Sequence, residues 1–163
     1  AAGHLGAAVR RRLPGSRVVS LERAARNLAA TPGERVVGDA LGLPFGDGSF
    51  DVVTACLFLH HFEDREAVRV LREMARVSRV GVVVLDLWRH PVAKAFLPAT
   101  RRVFGWHELT VEDGVKSVAA GFKAGELAEL GAAAGMEGAV VRRHLPWFRV
   151  SLVARRDGGN LLI

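Results

Sequence analysis

Residues 37 to 62 read VGDALGLPFGDGSFDVVTACLFLHHF, and this stretch decides the fold. Its first part is a short apolar run that ends at an acidic residue, Asp39, and enters a turn rich in Gly and Pro. The following run, Phe50 to Ala55, is apolar except for one Asp and one Thr. Such a continuous run is typical of a strand in a parallel sheet that is covered on both faces. The stretch therefore predicts two strands of an α/β sheet joined by a turn.

Three short motifs follow one another within this stretch. They are GDALGLPF at 38–45, GSFDVV at 48–53 and LHH at 59–61. In this order and at these separations they resemble the class I S-adenosylmethionine-dependent methyltransferases. The resemblance implies a Rossmann-like, doubly wound α/β fold with a mostly parallel sheet. It also implies that a terminal hairpin adds one antiparallel strand, here around Phe148 to Ala154.

The composition is that of a globular protein with one domain. The chain has 163 residues, half of them hydrophobic and a quarter charged, which suffices for a single substantial core. We assign residues 1–156 to this domain and residues 157–163 to a tail. The longest uncharged apolar run is far shorter than the roughly 20 residues that span a bilayer, so no membrane span is predicted.

The charge and the cysteine content favour a cytoplasmic protein that does not bind nucleic acid. The formal net charge is +6, but the arginines fall in short groups on different predicted elements. Nucleic-acid binders instead cluster their cations on one face, so a solvated basic surface is favoured here. The single cysteine, Cys56, excludes an intrachain disulfide and suits a reducing compartment. The sequence leaves the oligomeric state open.

The chain opens on a glycine-containing turn that runs into a helix. In the resembling family a strand and a glycine-rich loop precede this helix, so Gly3 is expected to be the last glycine of a cofactor loop, and the family's first strand is missing. Glu22 lies 19 positions after Gly3, at the end of the next predicted strand. An acidic residue at that distance is placed to accept hydrogen bonds from ribose hydroxyls. The alternative is that Glu22 caps the following helix, Arg23 to Ala30, where a carboxylate favours the helix dipole.

Three further residues are expected at the cofactor, S-adenosyl-L-methionine. The resemblance implies that Asp39 and Ala40 contact its adenine, through a carboxylate-to-amine hydrogen bond and a backbone amide. It also implies that Cys56, which ends the next strand, lies against the cofactor. The competing interpretations are a surface turn for Asp39 and a small buried hydrophobe for Cys56.

His60 and His61 are the candidate catalytic residues. A histidine near the carboxyl end of a strand can deprotonate a hydroxyl, because a neutral imidazole takes up a proton near neutral pH. Adjacent histidines do not share a helix face, so at most one of them is expected to point into a site. Methyl transfer from a sulfonium can also proceed by positioning alone, which leaves packing or helix capping as the competing role. One cysteine and scattered histidines do not predict a metal site.

The second half of the chain is expected to supply helices and the substrate side. Asp64 to Arg79 carries an apolar stripe typical of a helix that covers a sheet, and Val80 to Leu87 follows as an apolar strand. Pro91 to Phe104 is predicted to be a helix interrupted near Pro98. The segment 105–121 is similar to a substrate-covering insertion in a quinone-pathway branch of the family. The candidate substrate-side residues are Trp88, His107 and His144.

The leading hypothesis is transfer of a methyl group from S-adenosylmethionine to a small-molecule acceptor, at an oxygen or an activated carbon. The alternatives are a non-catalytic, methyltransferase-like module and an RNA or protein methyltransferase. Against the second alternative, no Asn-Pro-Pro-Tyr-like segment follows the strand that ends at Cys56. The sequence also shows no aromatic platform interleaved with basic residues.

Overall fold

A computed structural model describes residues 4–28 and 33–156. It divides the chain into two compact units, residues 1–46 and residues 47–163. Both units contain strands and helices. Gly3 and the predicted tail at 157–163 lie outside the described residues.

The first unit contains a parallel two-stranded sheet. Its elements are α1 (His4–Arg12), β1 (Val19–Glu22), α2 (Ala25–Leu28) and β2 (Glu34–Val37). β1 and β2 pair in parallel with Glu22 opposite Val37, so both strands end at the same edge. Gly38 follows at that edge, and its amide donates to the Glu22 carbonyl at 3.2 Å. A Cβ added at Gly38 would lie only 3.0 Å from Leu21 and Pro44, so the tight turn after β2 favours glycine.

The second unit contains a four-stranded sheet. Its elements are β3 (Phe50–Cys56), a 3-10 helix (Leu59–His61), α3 (Asp64–Val77), β4 (Ser78–Leu87), α4 (Pro91–Phe104), α5 (Glu108–Ala120), α6 (Ala124–Ala133), β5 (Val140–His144) and β6 (Arg149–Arg155). The strand order is β3-β4-β6-β5. β3 pairs with β4 in parallel, whereas β6 runs antiparallel to both β4 and β5. The predicted terminal hairpin and its antiparallel strand are confirmed, and with them the α/β fold class.

The core of the second unit is built on α3. The apolar stripe predicted from the sequence is buried, and its five members are each 4% exposed or less: Ala67, Val70, Leu71, Met74 and Val77. α3 packs against β3, β4 and α6. Full burial of each large side chain in this stripe contributes about 1.5–3 kcal/mol, which makes α3 a main source of the unit's stability.

The strands differ from the sequence-based expectation in two ways. One sheet was expected, whereas the described strands form two, because β1 pairs only with β2 and β3 only with β4. In addition, β3 is not covered on both faces, since Ala55 is its one buried residue. α3 packs against β3, whereas α4 and α5 pack chiefly on each other.

α4 and α5 form a helical pair after the carboxyl end of β4. They approach closely, since a Cβ added at Gly114 of α5 would lie 2.2 Å from Leu97 Cδ1 of α4. The predicted interruption near Pro98 is wrong: α4 continues through it. Pro98 is exposed, so the carbonyl that it leaves without a donor can be hydrated. None of the helices within residues 4–28 and 33–156 combines the length and apolar character needed to cross a membrane.

Gly121, between α5 and α6, gives a test of the close packing against β4. A Cβ added there would lie 2.6 Å from the Leu87 carbonyl oxygen, which is backbone and cannot move aside. We expect Gly121→Ala to lower the free energy of unfolding by about 1–3 kcal/mol, the usual cost of overpacking. Gly125→Ala is the matched control, because a Cβ at Gly125 meets nothing within 4 Å. Urea unfolding of both variants measures the difference, and equal stabilities would contradict this packing.

Candidate active site

Two acidic residues lie at the carboxyl ends of the parallel strands in the first unit. Glu22 is the last residue of β1, and Asp39 follows β2 by two positions. Glu22 Oε1 accepts hydrogen bonds from the amides of Arg23 and Ala24, at 2.9 and 3.3 Å. Asp39 Oδ1 accepts one from the Leu41 amide at 2.9 Å. Each carboxylate thus uses one oxygen to brace the turn that follows its strand.

The second oxygen of each carboxylate is not used in bracing a turn. Within the described residues, no hydrogen bond engages Glu22 Oε2 or Asp39 Oδ2. Ala40 is buried next to Asp39. Carboxylate oxygens beyond the carboxyl ends of parallel strands suit the hydroxyl and amine donors of a nucleoside. These residues therefore fit the adenosyl part of S-adenosylmethionine.

A buried polar network in the second unit centres on Asp86, which the sequence analysis did not single out. Asp86 is 0% exposed. Its Oδ2 accepts hydrogen bonds from the amides of Phe58, Leu59 and His60, at 3.2, 2.8 and 3.3 Å. Its Oδ1 accepts from the Leu87 amide at 2.7 Å and lies 2.6 Å from His60 Nδ1. The carboxylate near the end of β4 thus holds the 3-10 helix that follows β3.

Asp86 is buried because of its position in β4. It lies two residues after Val84 and four after Val82, on the same buried face of the strand. A buried carboxylate without partners would cost several kcal/mol, so its five hydrogen bonds are what make this position tolerable. The one signal for this site in the sequence is that Asp86 shares the alternation of Val82 and Val84 along the strand.

The two candidate histidines have different surroundings. The side chain of His60 is 6% exposed and its ring is held by Asp86. His61 is exposed, and its ring packs on that of His60 with centroids 4.1 Å apart. Partial burial and the adjacent His60 lower the pKa of His61, while the Asp86 carboxylate acts in the opposite direction. His61 is therefore an accessible imidazole that is neutral near pH 7.

The backbone between β3 and the 3-10 helix is strained. Leu57 adopts φ of +50°, in the left-handed region that non-glycine residues rarely occupy. Its amide donates to the Leu85 carbonyl at 2.8 Å. Such a conformation costs about 1–3 kcal/mol and persists where neighbouring contacts fix it. Here the next three amides are fixed by Asp86, so the network and the strained residue occur together at the carboxyl end of β3.

Cys56 is the last residue of β3 and is exposed. The competing interpretation of a small buried hydrophobe is therefore wrong. Partial burial of the thiol raises the pKa of Cys56, the Asp86 carboxylate adds to this, and Arg149 opposes it. The thiol accordingly stays protonated at neutral pH.

Aromatic rings gather beyond the carboxyl end of β4. The Trp88 ring lies 4.6 Å from that of His90 and 5.9 Å from that of Phe148, measured between centroids. The guanidinium carbon of Arg143 is 5.5 Å from the centroid of Trp88, which is cation–π geometry. This cluster places Trp88 on the side expected for the substrate.

The two other substrate-side candidates have local roles. His144 ends β5 opposite Arg149, which in turn is opposite Leu87, so His144 lies at the same edge as the end of β4. Its Nε2 is 2.8 Å from Ser151 Oγ. His107 precedes α5 and caps it through Nδ1, which accepts from the Leu109 amide at 3.3 Å.

A cleft of about 550 Å³ lies in the second unit, and its walls do not include His61, Trp88, His107 or His144. Its walls include Phe62, which follows the 3-10 helix, and Arg89 and Phe122, which lie beyond β4. Arg89 pairs with Glu126 of α6. The Lys123 amide and then the Arg89 guanidinium lower the pKa of Glu126, so this pair is charged at neutral pH. In the described part of the chain, no three His, Cys, Asp or Glu side chains are grouped to hold a metal ion.

Comparison with known proteins supports the methyltransferase family that the three short motifs resemble. Residues 3–85, just over half of the chain, match the sequence model of a family described as a methyltransferase domain. The chain is 37% identical over 92 residues to the demethylmenaquinone methyltransferase of Thermotoga maritima, covering 52% of this chain and 39% of that protein. It is 47% identical over 64 residues to the demethylmenaquinone methyltransferase of Roseiflexus sp., covering 37% of this chain and 26% of that protein.

Solved structures share the fold. The structure of PigF with SAH superposes with a TM-score of 0.63 at 16% identity, covering 93% of this chain and 47% of that one. The chain spans about a quarter to two fifths of the length of the two curated relatives above. The family resemblance inferred from the three short motifs is confirmed.

Removal of the Asp86 carboxylate tests its role in stability. Asp86→Ala leaves four amides and the His60 ring without their acceptor, so we expect a loss on the order of 3 kcal/mol in the free energy of unfolding. Asp51→Ala is the control, because Asp51 is exposed and pairs with the exposed Arg79 at 2.7 Å. Such a surface pair contributes about 0–1 kcal/mol. Comparable losses for the two variants in denaturant titrations would show that Asp86 is not an anchor.

Proposed function

Because this chain belongs to the methyltransferase domain family, we propose that it forms part of an enzyme that transfers a methyl group from S-adenosylmethionine to a small-molecule acceptor. The observation that carries this proposal is the pair of carboxylates, Glu22 and Asp39, beyond the carboxyl ends of two adjacent parallel strands. The proposed setting is cytoplasmic, with a small molecule rather than a nucleic acid as the partner.

The proposed roles of Glu22 and Asp39 follow from the carboxylate oxygens that no hydrogen bond engages within the described residues. Glu22 Oε2 accepts hydrogen bonds from the ribose hydroxyls, while Oε1 keeps bracing the turn after β1. Asp39 Oδ2 accepts from the adenine amine, and the buried Ala40 supplies a backbone amide and apolar contact. Cys56 keeps its proposed contact with the cofactor on the family resemblance alone. Gly3 keeps its proposed place in the cofactor loop on the family resemblance alone.

The proposed acceptor is a small molecule with an ionisable hydroxyl or an activated carbon. Bound S-adenosylmethionine supplies an electrophilic methyl group on a positively charged sulfur. The acceptor's electron pair forms the new bond to the methyl carbon, and the carbon–sulfur bond breaks with its electrons left on sulfur. The proton of the acceptor passes to a ring nitrogen of His61, which is accessible and neutral near pH 7. His60 is unsuited to this step because its ring is buried and held by Asp86.

The cleft in the second unit supports a small acceptor over a macromolecular one. Its volume of about 550 Å³ lies within the roughly 300–1,000 Å³ of small-molecule sites. Phe62 is one of its walls and directly follows His61 in the chain, whereas His61 itself does not line the cleft. The demethylmenaquinone methyltransferases among the relatives favour an acceptor of the quinol class, in which the ring carbon beside a hydroxyl is nucleophilic.

Substitution of Glu22 tests the cofactor assignment. We expect Glu22→Ala to weaken binding of SAH by about 1–3 kcal/mol, roughly 5- to 150-fold, because a charge-assisted hydrogen bond is lost. Asp39→Ala should cost less, since an adenine amine can bond to water instead. Titration calorimetry of SAH into the 163-residue chain and its variants measures these affinities.

Glu34→Ala is the matched control for this experiment. Glu34 lies at the amino end of β2, where it pairs with Arg17 at 2.6 Å, far along the strand from the ligand edge. Its removal should leave the affinity for SAH unchanged. If Glu22→Ala lowers thermal stability but not affinity, Glu22 is a helix cap and its ligand role is refuted. Absence of SAH binding by the unmodified chain would overturn the cofactor proposal for this chain.

A further inference from the structure

His60 and Asp86 form a buried pair directly beneath the accessible His61. A carboxylate only accepts hydrogen bonds, so the 2.6 Å contact between Asp86 Oδ1 and His60 Nδ1 requires that Nδ1 carry a proton. The Asp86 carboxylate therefore fixes both the tautomer and the ring plane of His60. In catalytic and metal sites a partner of this kind sets how an imidazole is presented.

His61 depends on this pair for its placement. It is the last residue of the 3-10 helix, whose amides at Leu59 and His60 are bound by Asp86. Its ring packs on the fixed ring of His60 at 4.1 Å, with 41° between the planes. The 3-10 helix packs against β4, α3 and α5. Among the described residues, the charged or titratable groups acting on His61 are His60 and Asp86.

We propose that Asp86 and His60 are positioning residues that hold His61 as the base for the acceptor proton. This inference rests on the proposed methyl transfer. Asp86 fixes the backbone of the 3-10 helix and the ring of His60. His60 then supports the ring of His61 from one side and disfavours a positive charge on it. The acceptor proton moves to His61, and neither Asp86 nor His60 touches the acceptor.

The alternative is that Asp86 and His60 only stabilise the fold. The two roles differ in what they do to the titration of His61. His60 lowers the pKa of His61 from its ordinary value of 6.5, whereas Asp86 raises it. Replacing His60 with glutamine therefore removes a lowering influence on the pKa of His61 and leaves a raising one. A purely structural pair would leave the titration of His61 where it is.

His60→Gln is the deciding variant, because the glutamine amide can still donate a hydrogen bond to Asp86. The titration of the His61 ring is followed by proton NMR in the 163-residue chain. We expect its pKa to move upward. Asp51→Asn is the control, since Asp51 lies at the opposite end of β3, and it should leave the titration of His61 unchanged. An unchanged His61 titration in folded His60→Gln would refute the positioning role.

A kinetic measurement separates this inference from the proposed function. A base must be unprotonated, so activity rises as pH increases through the pKa of His61. In His60→Gln this rise should shift to higher pH, with kcat lowered about tenfold, less than the roughly 10²–10⁴-fold that a whole general base supplies. The KM for S-adenosylmethionine should stay the same. Absence of SAH binding by the unmodified chain would refute the proposed function. An unchanged kcat and an unchanged pH profile in His60→Gln would refute only the positioning role.

Discussion

The arrangement at the carboxyl end of the second unit depends on one buried carboxylate. Asp86 is fully buried and receives hydrogen bonds from four amides and one imidazole. A charge at such a position is strongly destabilising unless every acceptor site is used, so the loop that supplies the amides has little freedom. The strained φ of +50° at Leu57 is a local consequence, since the chain must turn sharply from β3 to meet the carboxylate.

This constraint also separates the roles of two adjacent and chemically identical residues. His60 is turned inward by Asp86, and His61 is consequently left at the surface with its ring against that of His60. Partial burial of His61 and the adjacent His60 lower the pKa of His61. In the proposed function, His61 is the base that is neutral at physiological pH. The different surroundings of the two histidines thus follow from a single strand position.

The elements that could be predicted from the sequence are those with a local signal or a family motif. The stripe of α3 follows from helical spacing alone, and the terminal hairpin follows from the family resemblance of the three short motifs. The positions of Glu22 and Asp39 at strand ends also follow from short apolar runs that stop at an acid. The signals for α3, Glu22 and Asp39 lie within a few residues of the features that they predict.

Asp86 could not be assigned from the sequence, because its partners lie 26 to 28 residues earlier in the chain. An acid at the end of an apolar strand resembles an ordinary strand terminus, and only the pairing of β3 with β4 brings it to the 3-10 helix. The exposure of β3 was likewise not predictable, since it depends on which helices cover the sheet. Pro98 shows the reverse case, in which a strong local signal is overridden because the helix around it is exposed.

Amide hydrogen exchange is the most direct test of the central claim that Asp86 anchors the 3-10 helix. In the unmodified chain, we predict that the amides of Leu59 and His60 exchange nearly as slowly as that of Leu71 in the buried stripe of α3. In Asp86→Ala they should exchange much faster than Leu71 measured in the same sample, because local opening no longer breaks a buried hydrogen bond. Fast exchange of the Leu59 and His60 amides in the unmodified chain would contradict the anchoring role of Asp86. Equal protection of the Leu59, His60 and Leu71 amides in Asp86→Ala would contradict it as well.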